Sequence, residues 1–286
     1  MDVAALSDLR NTRRLVIKVG SALLVQDGAP RAEWLATLAA EIAELRHKTE
    51  IIVVSSGAIA LGAAKLGLAK GGRGSLADAQ AAASVGQVEL ARLWADALGA
   101  HTITAAQMLV TLGDLEDRRR YLNASATLAR LLEAGALPVV NENDSVATEE
   151  IRFGDNDRLA ARVAQAAGAD AVLLLSDVDG LYDRDPREAG AVRIERVTGV
   201  TPEIIAMASG ESASGLGSGG MLAKLQAARI AERAGIALAI VNGTHAAPIG
   251  RALDTGVGTL FLPQSDASAR KAWLGGRLAP AGVLSV

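Results

Sequence analysis

Residues 139–159 read VVNENDSVATEEIRFGDNDRL, and this stretch decides how the rest of the sequence is interpreted. The apolar run at 137–140 predicts a buried strand. Amides and carboxylates follow it at 141–144, and a second polar cluster lies at 155–157. A strand end this polar is not core, because burying unpaired charge is costly. Ligands of open parallel sheets bind beyond the carboxyl ends of strands, so the segment is predicted to bind something small, polar and cationic or amine-bearing.

Strands and helices alternate outward from this segment. Apolar runs predict strands at 15–19, 51–54, 101–104, 137–140, 171–175, 237–241 and 258–262. Helical spacing predicts helices at 32–47, 76–97, 119–133, 156–167 and 220–234. This alternation predicts an α/β fold with a mainly parallel sheet. An apolar fraction of 50% with only 2% aromatic residues suits a sheet covered by helices on both faces.

Composition narrows the function classes. The formal net charge of −3 gives no indication of nucleic-acid binding, and the absence of cysteine excludes disulfides and thiolate metal sites. The N-terminus lacks the apolar region of a signal peptide, and no apolar run is long enough to cross a membrane, so we expect a cytoplasmic protein. Without a break in composition before about residue 262, we expect one domain at 1–262 and a tail at 263–286.

Three segments are suited to binding anions. Each contains a glycine-bearing turn whose backbone N–H groups can face a phosphate or carboxylate. They are LVIKVGS at 15–21, VVSSGAI at 53–59 and SGLGSGGMLAK at 214–224. The alternatives are a lysine that only reaches the surface, a serine that only caps a helix and a disordered surface loop. The third segment is the strongest, because four glycines in seven residues precede a helix that carries a lysine.

A further turn, SDVDGLYD at 176–183, follows a predicted strand. Its spacing of Asp177, Asp179 and Asp183 is partly that of a calcium loop, but the complete pattern and the distal glutamate are missing. A turn that contacts a nucleotide is the preferred interpretation.

Together these segments resemble the amino acid kinase family. The matching motifs are collinear from about residue 15 to residue 261: LVIKVGS, VVSSGAIALG, VGQ (85–87), QMLVT, RRYLNA, PVVNENDSVA, FGDNDRLAA, LLLSDVDGLYDRDP, SGLGSGGMLAKLQAA and GTLF. The pair NEND…GDND and the loop SGLGSGGM favour the branch of the family that phosphorylates the γ-carboxylate of glutamate.

The resemblance implies a three-layer αβα sandwich around a mainly parallel central sheet, with ATP over the C-terminal half and the amino acid over the N-terminal half. It implies that ATP and L-glutamate give L-glutamyl 5-phosphate and ADP, the first step of proline synthesis. A γ-carboxylate is already an anionic nucleophile at neutral pH, so the reaction requires charge neutralisation and positioning rather than a general base. Mg²⁺ on the ATP phosphates would contribute to that neutralisation.

The resemblance also assigns roles by position. Glutamate would be bound by Ser56, Gly57, Asp144 and Asn156. Catalysis would rest on Lys18 and Lys224, oriented by Asp157. ATP would be bound by Lys18, Ser176, Asp177, Ser218, Gly219, Gly220, Met221 and Lys224. No protein ligand to the metal is assigned, since the ATP phosphates would hold Mg²⁺.

The resemblance further implies a homo-oligomer, dimer or tetramer, and feedback inhibition by proline. Many members continue into a PUA-type domain near the point where this chain stops, so we expect that domain to be missing. Three alternatives are a kinase for N-acetylglutamate, a catalytically silent sensor and a Rossmann dehydrogenase. Asp144, as a partner for a free amine, weighs against N-acetylglutamate as the substrate. The presence of both lysines with Asp157 weighs against a silent sensor, and the lack of a dinucleotide fingerprint weighs against a dehydrogenase.

Overall fold

The computed structural model describes residues 3–146, 156–208 and 220–263. Its strands are β1 (Arg14–Val19), β2 (Val25–Gln26), β3 (Ala29–Pro30), β4 (Glu50–Ser55), β5 (Ala105–Val110), β6 (Leu137–Glu142), β7 (Ala171–Ser176), β8 (Arg196–Val197), β9 (Ala237–Asn242) and β10 (Thr259–Phe261). Its helices are α1 (Ser21–Leu24), α2 (Ala32–Leu45), α3 (Ala58–Leu66), α4 (Leu76–Gly99), α5 (Leu112–Glu116), α6 (Arg118–Glu133), α7 (Asn156–Ala167), α8 (Pro202–Met207), α9 (Met221–Arg233) and α10 (Pro248–Thr255).

Eight strands form one sheet in the order β5-β6-β4-β1-β7-β9-β10-β8, and β2 pairs with β3 in a separate hairpin. The strands from β5 to β9 in this order are parallel, whereas β10 is antiparallel to β9. The carboxyl ends of β1, β4, β6, β7 and β9 therefore lie along one edge. The predicted mainly parallel α/β fold is confirmed.

Helices cover both faces of the sheet and complete three layers. One face packs on α1, α2, α3, α4 and α10, and the opposite face packs on α5, α6, α7 and α9. Strand β1 shows how the sequence divides between them, because successive side chains of a strand point to opposite faces. Leu15, Ile17 and Val19 join the first core, and Val16 joins the second. By the same alternation, Lys18 faces the α7 and α9 side.

Helix α7 is buried along nearly its whole length. Its sequence, NDRLAARVAQAA, supplies small alanines that allow close packing between the sheet, α6 and α9. Two polar residues, Asn156 and Asp157, begin this helix and are buried with it. The helix thus brings an amide and a carboxylate to the edge where the parallel strands end.

The backbones of helices α3 and α4 are in direct contact at two glycines. A Cβ added to Gly62 would lie 1.8 Å from the carbonyl oxygen of Ala82, and one added to Gly86 would lie 1.7 Å from that of Ala58. Since Cβ atoms cannot approach so closely, only glycine fits at these two positions. At the sheet, the Trp94 indole of α4 donates a hydrogen bond of 2.8 Å to the Ser55 hydroxyl at the end of β4.

One strand prediction was wrong. Residues 101–104 form a turn after α4, with Thr102 at a φ of +59°, and the strand is β5 instead. The sequence of β5, AAQMLV, has a single β-branched residue, because an edge strand with a partly exposed surface does not require a continuous apolar run. In residues 3–146, 156–208 and 220–263, no helix is long and apolar enough to cross a membrane.

Candidate active site

A carboxylate from α7 contacts two lysines from separate elements. Asp157 Oδ1 lies 2.7 Å from the Lys18 ammonium of β1, and Asp157 Oδ2 lies 3.1 Å from the Lys224 ammonium of α9. All three side chains are buried. The structure therefore brings the three predicted catalytic residues, which are far apart in the sequence, into direct contact.

The pKa of Asp157 reflects two opposing effects. Burial alone would raise it, but the neighbouring charges of Lys18 and Lys224 and their hydrogen bonds outweigh burial and hold the pKa below its usual range. The carboxylate is thus charged at neutral pH. Gly20 lies beside the cluster: a Cβ added to it would lie 3.7 Å from the Lys18 nitrogen.

A chain of polar side chains runs beside the lysine cluster. The Asn156 amide donates to the Ser56 hydroxyl at 2.6 Å and to the Asn141 amide oxygen at 3.3 Å. Asn141, on β6, donates in turn to the Gln87 amide oxygen of α4 at 2.7 Å. Within the described part of the chain, the buried Asn156 Oδ1 has no hydrogen-bond partner. A buried acceptor without a donor is costly, and a ligand with N–H groups would satisfy it.

Ser56 and Gly57 follow β4 and are held by the sheet. The Ser56 N–H donates to the Val19 carbonyl oxygen of β1 at 3.0 Å. Gly57 caps the start of α3 with a φ of +113°, a conformation that L side chains rarely adopt. Two of the predicted substrate-binding residues therefore lie at the same edge of the sheet as Lys18 of β1 and Asn141 of β6.

Asp144 follows β6 at the same edge and is buried. Burial raises its pKa to about 6, and the charge of Arg73, in the connection between α3 and α4, acts in the opposite direction. Among the described residues it has no ion-pair partner. A buried carboxylate of this kind is suited to an incoming cation, such as the ammonium group of an amino acid.

The predicted nucleotide-binding residues lie on the other side of β1. Ser176 ends β7, and its hydroxyl donates to the Asp177 carboxylate at 3.1 Å. Gly220 is the N-cap of α9 and Met221 its first residue, so the N–H groups of the first turn are directed away from the helix body, as phosphate sites require. Ser218 and Gly219, also predicted to bind ATP, lie outside the described residues.

Sequence reasoning missed three residues of this region. Asn141 belonged to the polar cluster but received no role, Gln87 appeared only within the VGQ motif, and Arg73 was not singled out. The contact of Gln87 with Asn141 joins residues 54 positions apart, so only the position of α4 in the fold reveals it.

Comparisons with known proteins agree with this architecture. The UMP kinase from Ureaplasma parvum superposes with a TM-score of 0.57 over 87% of this chain and 98% of that chain, at 17% identity, which shows a shared fold. The amino acid kinase family model matches residues 13–242. The chain therefore belongs to the amino acid kinase family of phosphotransferases.

Curated relatives indicate a particular branch of the family. A protein of Novosphingobium aromaticivorans named glutamate 5-kinase is 68% identical over 286 residues, which cover 99% of this chain and 76% of that protein. The proteins of the same name from Sphingopyxis alaskensis and Zymomonas mobilis are 62% and 58% identical; they align with 96% and 95% of this chain and with 74% and 69% of their own lengths. The chain is thus similar to glutamate 5-kinases along nearly all of its length.

Proposed function

We propose that this chain phosphorylates the γ-carboxylate of L-glutamate with ATP and forms L-glutamyl 5-phosphate and ADP, the first step of proline biosynthesis. The relatives named glutamate 5-kinase support this activity. The observation that carries the proposal is the pair of buried lysines on Asp157, next to a set of polar side chains suited to an amino acid. Such a site neutralises two anions that must meet in line.

Glutamate is bound by Ser56, Gly57, Asp144 and Asn156 in this proposal. Asp144 and the Asn156 side-chain oxygen accept hydrogen bonds from the α-ammonium group, which supplies the missing donor to Asn156. The γ-carboxylate then lies towards Asp157 and its lysines, because Asn156 and Asp157 are adjacent in α7. The carboxylate attacks without a general base, since it is already ionised at neutral pH.

ATP is bound by Ser176, Asp177 and residues 218–221, with Lys18 and Lys224 on the transferring phosphoryl group. Both lysines stabilise the negative charge of the transition state, and Asp157 holds them in place. Among the described residues, no three His, Asp or Glu side chains lie together as a metal cage. In this proposal Mg²⁺ would be held chiefly by the ATP phosphates, which it commonly contacts, and would add to the charge neutralisation there.

Several finer features belong to the same proposal. The kinase domain spans 1–262, and a tail follows at 263–286. The protein acts in the cytoplasm as a homo-oligomer, a dimer or tetramer, without nucleic-acid or membrane partners. Proline, the end product, competes with glutamate for the amino-acid pocket, because its ammonium and carboxylate groups offer the same charges to Asp144 and its neighbours.

The activity is tested by coupled ADP release with glutamate, N-acetylglutamate and aspartate in parallel, each with and without Mg²⁺. We expect turnover with glutamate and Mg²⁺ only, since an acetamide cannot form an ion pair with Asp144 and aspartate is one methylene too short. Proline added at several glutamate concentrations is expected to raise KM without lowering kcat. No turnover with glutamate, or preferred turnover with N-acetylglutamate, would overturn the assignment.

A further inference from the structure

We propose that Gln87 is a positioning residue for the amino-acid substrate. Its amide oxygen sets the orientation of the Asn141 amide and, through it, of the Asn156 amide, so that the Asn156 oxygen accepts from the substrate's ammonium group. The inference rests on the proposed role of Asn156 in binding glutamate. It extends that role to a residue of α4 that does not belong to the proposed glutamate-binding set.

The hydrogen bonds between the amide side chains run in one direction. Each amide side chain has one acceptor end and one donor end, so a chain of amides can run in either of two directions. Here the Gln87 oxygen accepts from the Asn141 nitrogen at 2.7 Å. The Asn141 oxygen therefore faces Asn156 and accepts from its nitrogen at 3.3 Å.

The orientation of Asn156 follows from that of Asn141. Its nitrogen is committed to Asn141 and to the Ser56 hydroxyl, at 3.3 and 2.6 Å. Its oxygen is left buried without a donor in the described part of the chain. If the chain ran in the opposite direction, Asn156 would present N–H groups to the pocket instead. An ammonium group, which only donates, would then meet another donor.

Gln87 can set this direction because its helix is held rigidly. The glycine contact with α3 at Gly86 and the hydrogen bond from Trp94 to Ser55 fix α4 on either side of it. Asn141 is buried, so rotating its amide alone, with Gln87 left in place, would leave two groups without partners. The orientation is therefore a property of the folded protein before the substrate binds.

Two substitutions distinguish the effect of the hydrogen-bond acceptor of Gln87 from the effect of the size of its side chain. Gln87→Met keeps the length but removes the acceptor, and Gln87→Glu keeps an acceptor at the same place. We expect Met to raise KM for glutamate about tenfold while kcat and KM for ATP stay within about twofold, since hydrogen bonds to charged groups have this strength. Glu is expected to stay within about threefold of the wild type. Val88→Met, on the exposed side of the same helix, is the matched control and should change nothing.

Glutarate, which is glutamate without its ammonium group, identifies what is lost. The ratio of kcat/KM for glutamate to that for glutarate should fall about tenfold in Gln87→Met, because glutarate does not use the Asn156 oxygen. An unchanged ratio, or equal losses for Met and Glu, would overturn the inference. If Gln87→Met does not fold, Gln87→Ala is used instead at this partly buried position, and the same tenfold fall in the ratio is expected. A wild-type enzyme without glutamate turnover would contradict the proposed function itself.

Discussion

At the residue scale, the two lysines on Asp157 are expected to determine the rate of phosphoryl transfer. Lys18→Met and Lys224→Met each remove one ammonium group and keep the length of the side chain. We expect kcat to fall by about two to three orders of magnitude, the range found for single electrostatic stabilisers in other enzymes. The measurement is ADP release at saturating glutamate and ATP.

The control for this experiment is Lys65→Met. Lys65 pairs with Glu89 at 2.8 Å on the surface of the molecule, so its removal tests the general effect of losing one lysine. It should leave turnover unchanged. Near-normal kcat in either buried-lysine variant, with the fold verified by its unfolding transition, would exclude that lysine from catalysis.

We expect Asp144 to give glutamate binding a pH dependence. Burial raises its pKa to about 6. A protonated carboxyl group cannot pair with an ammonium group, so kcat/KM for glutamate should fall about tenfold per pH unit below 6. Asp144→Asn should have a low kcat/KM for glutamate, and this value should not fall between pH 8 and pH 5. A wild-type profile without a break near pH 6 would contradict the role of Asp144.

The same pKa has an effect of the opposite sign on stability. Folding raises the pKa of Asp144 from its usual 3.8 to about 6, so the folded state favours the protonated form, and stability is lost as the pH rises through about 6. Asp144→Asn carries no charge at any pH. It should therefore exceed the wild type in free energy of unfolding by about 3 kcal/mol at pH 8. The difference should vanish towards pH 4, as measured by urea denaturation.

At the element scale, the α3–α4 contact admits only glycine. Gly86→Ala would place a methyl group 1.7 Å from the Ala58 carbonyl oxygen, so the helices must separate. We expect a loss of about 1–3 kcal/mol in the free energy of unfolding, together with a higher KM for glutamate because Gln87 is the next residue. Gly99→Ala is the control: it lies in the same helix, and nothing is within 4 Å of its added methyl group. Alanine there should be neutral or slightly stabilising.

The elements that were predicted well are those that a local pattern in the sequence is sufficient to specify. Strand β7 is a continuous apolar run because both of its faces are buried, and α7 was predicted with its exact bounds from its spacing. Strand β5 was placed too early, because at the edge of the sheet exposure relaxes the apolar pattern. The closeness of α3 and α4 was not predicted, since a glycine in a helix does not reveal what packs against it.

At the scale of the whole molecule, the candidate site was only partly predictable. The motif residues between Lys18 and Lys224 could be selected by resemblance, and the parallel sheet accounts for why they share one edge. Gln87 and Arg73 could not be assigned in this way. Their relation to Asn141 and Asp144 depends on where α4 and the preceding connection lie, which short-range patterns do not specify. The residue roles themselves stay predictions until the variants are measured.

The position of β1 near the centre of the sheet also matters while the protein is being made. β1 pairs on one side with β4 and on the other with β7, where Leu15 lies opposite Ala171. At about 5–20 residues per second, a ribosome needs roughly 10 to 30 s to add the intervening segment. During that time a strongly apolar strand has one open edge, which favours pairing with other chains. Nascent chains that end before β7 are therefore expected to be the most prone to pairing with other chains.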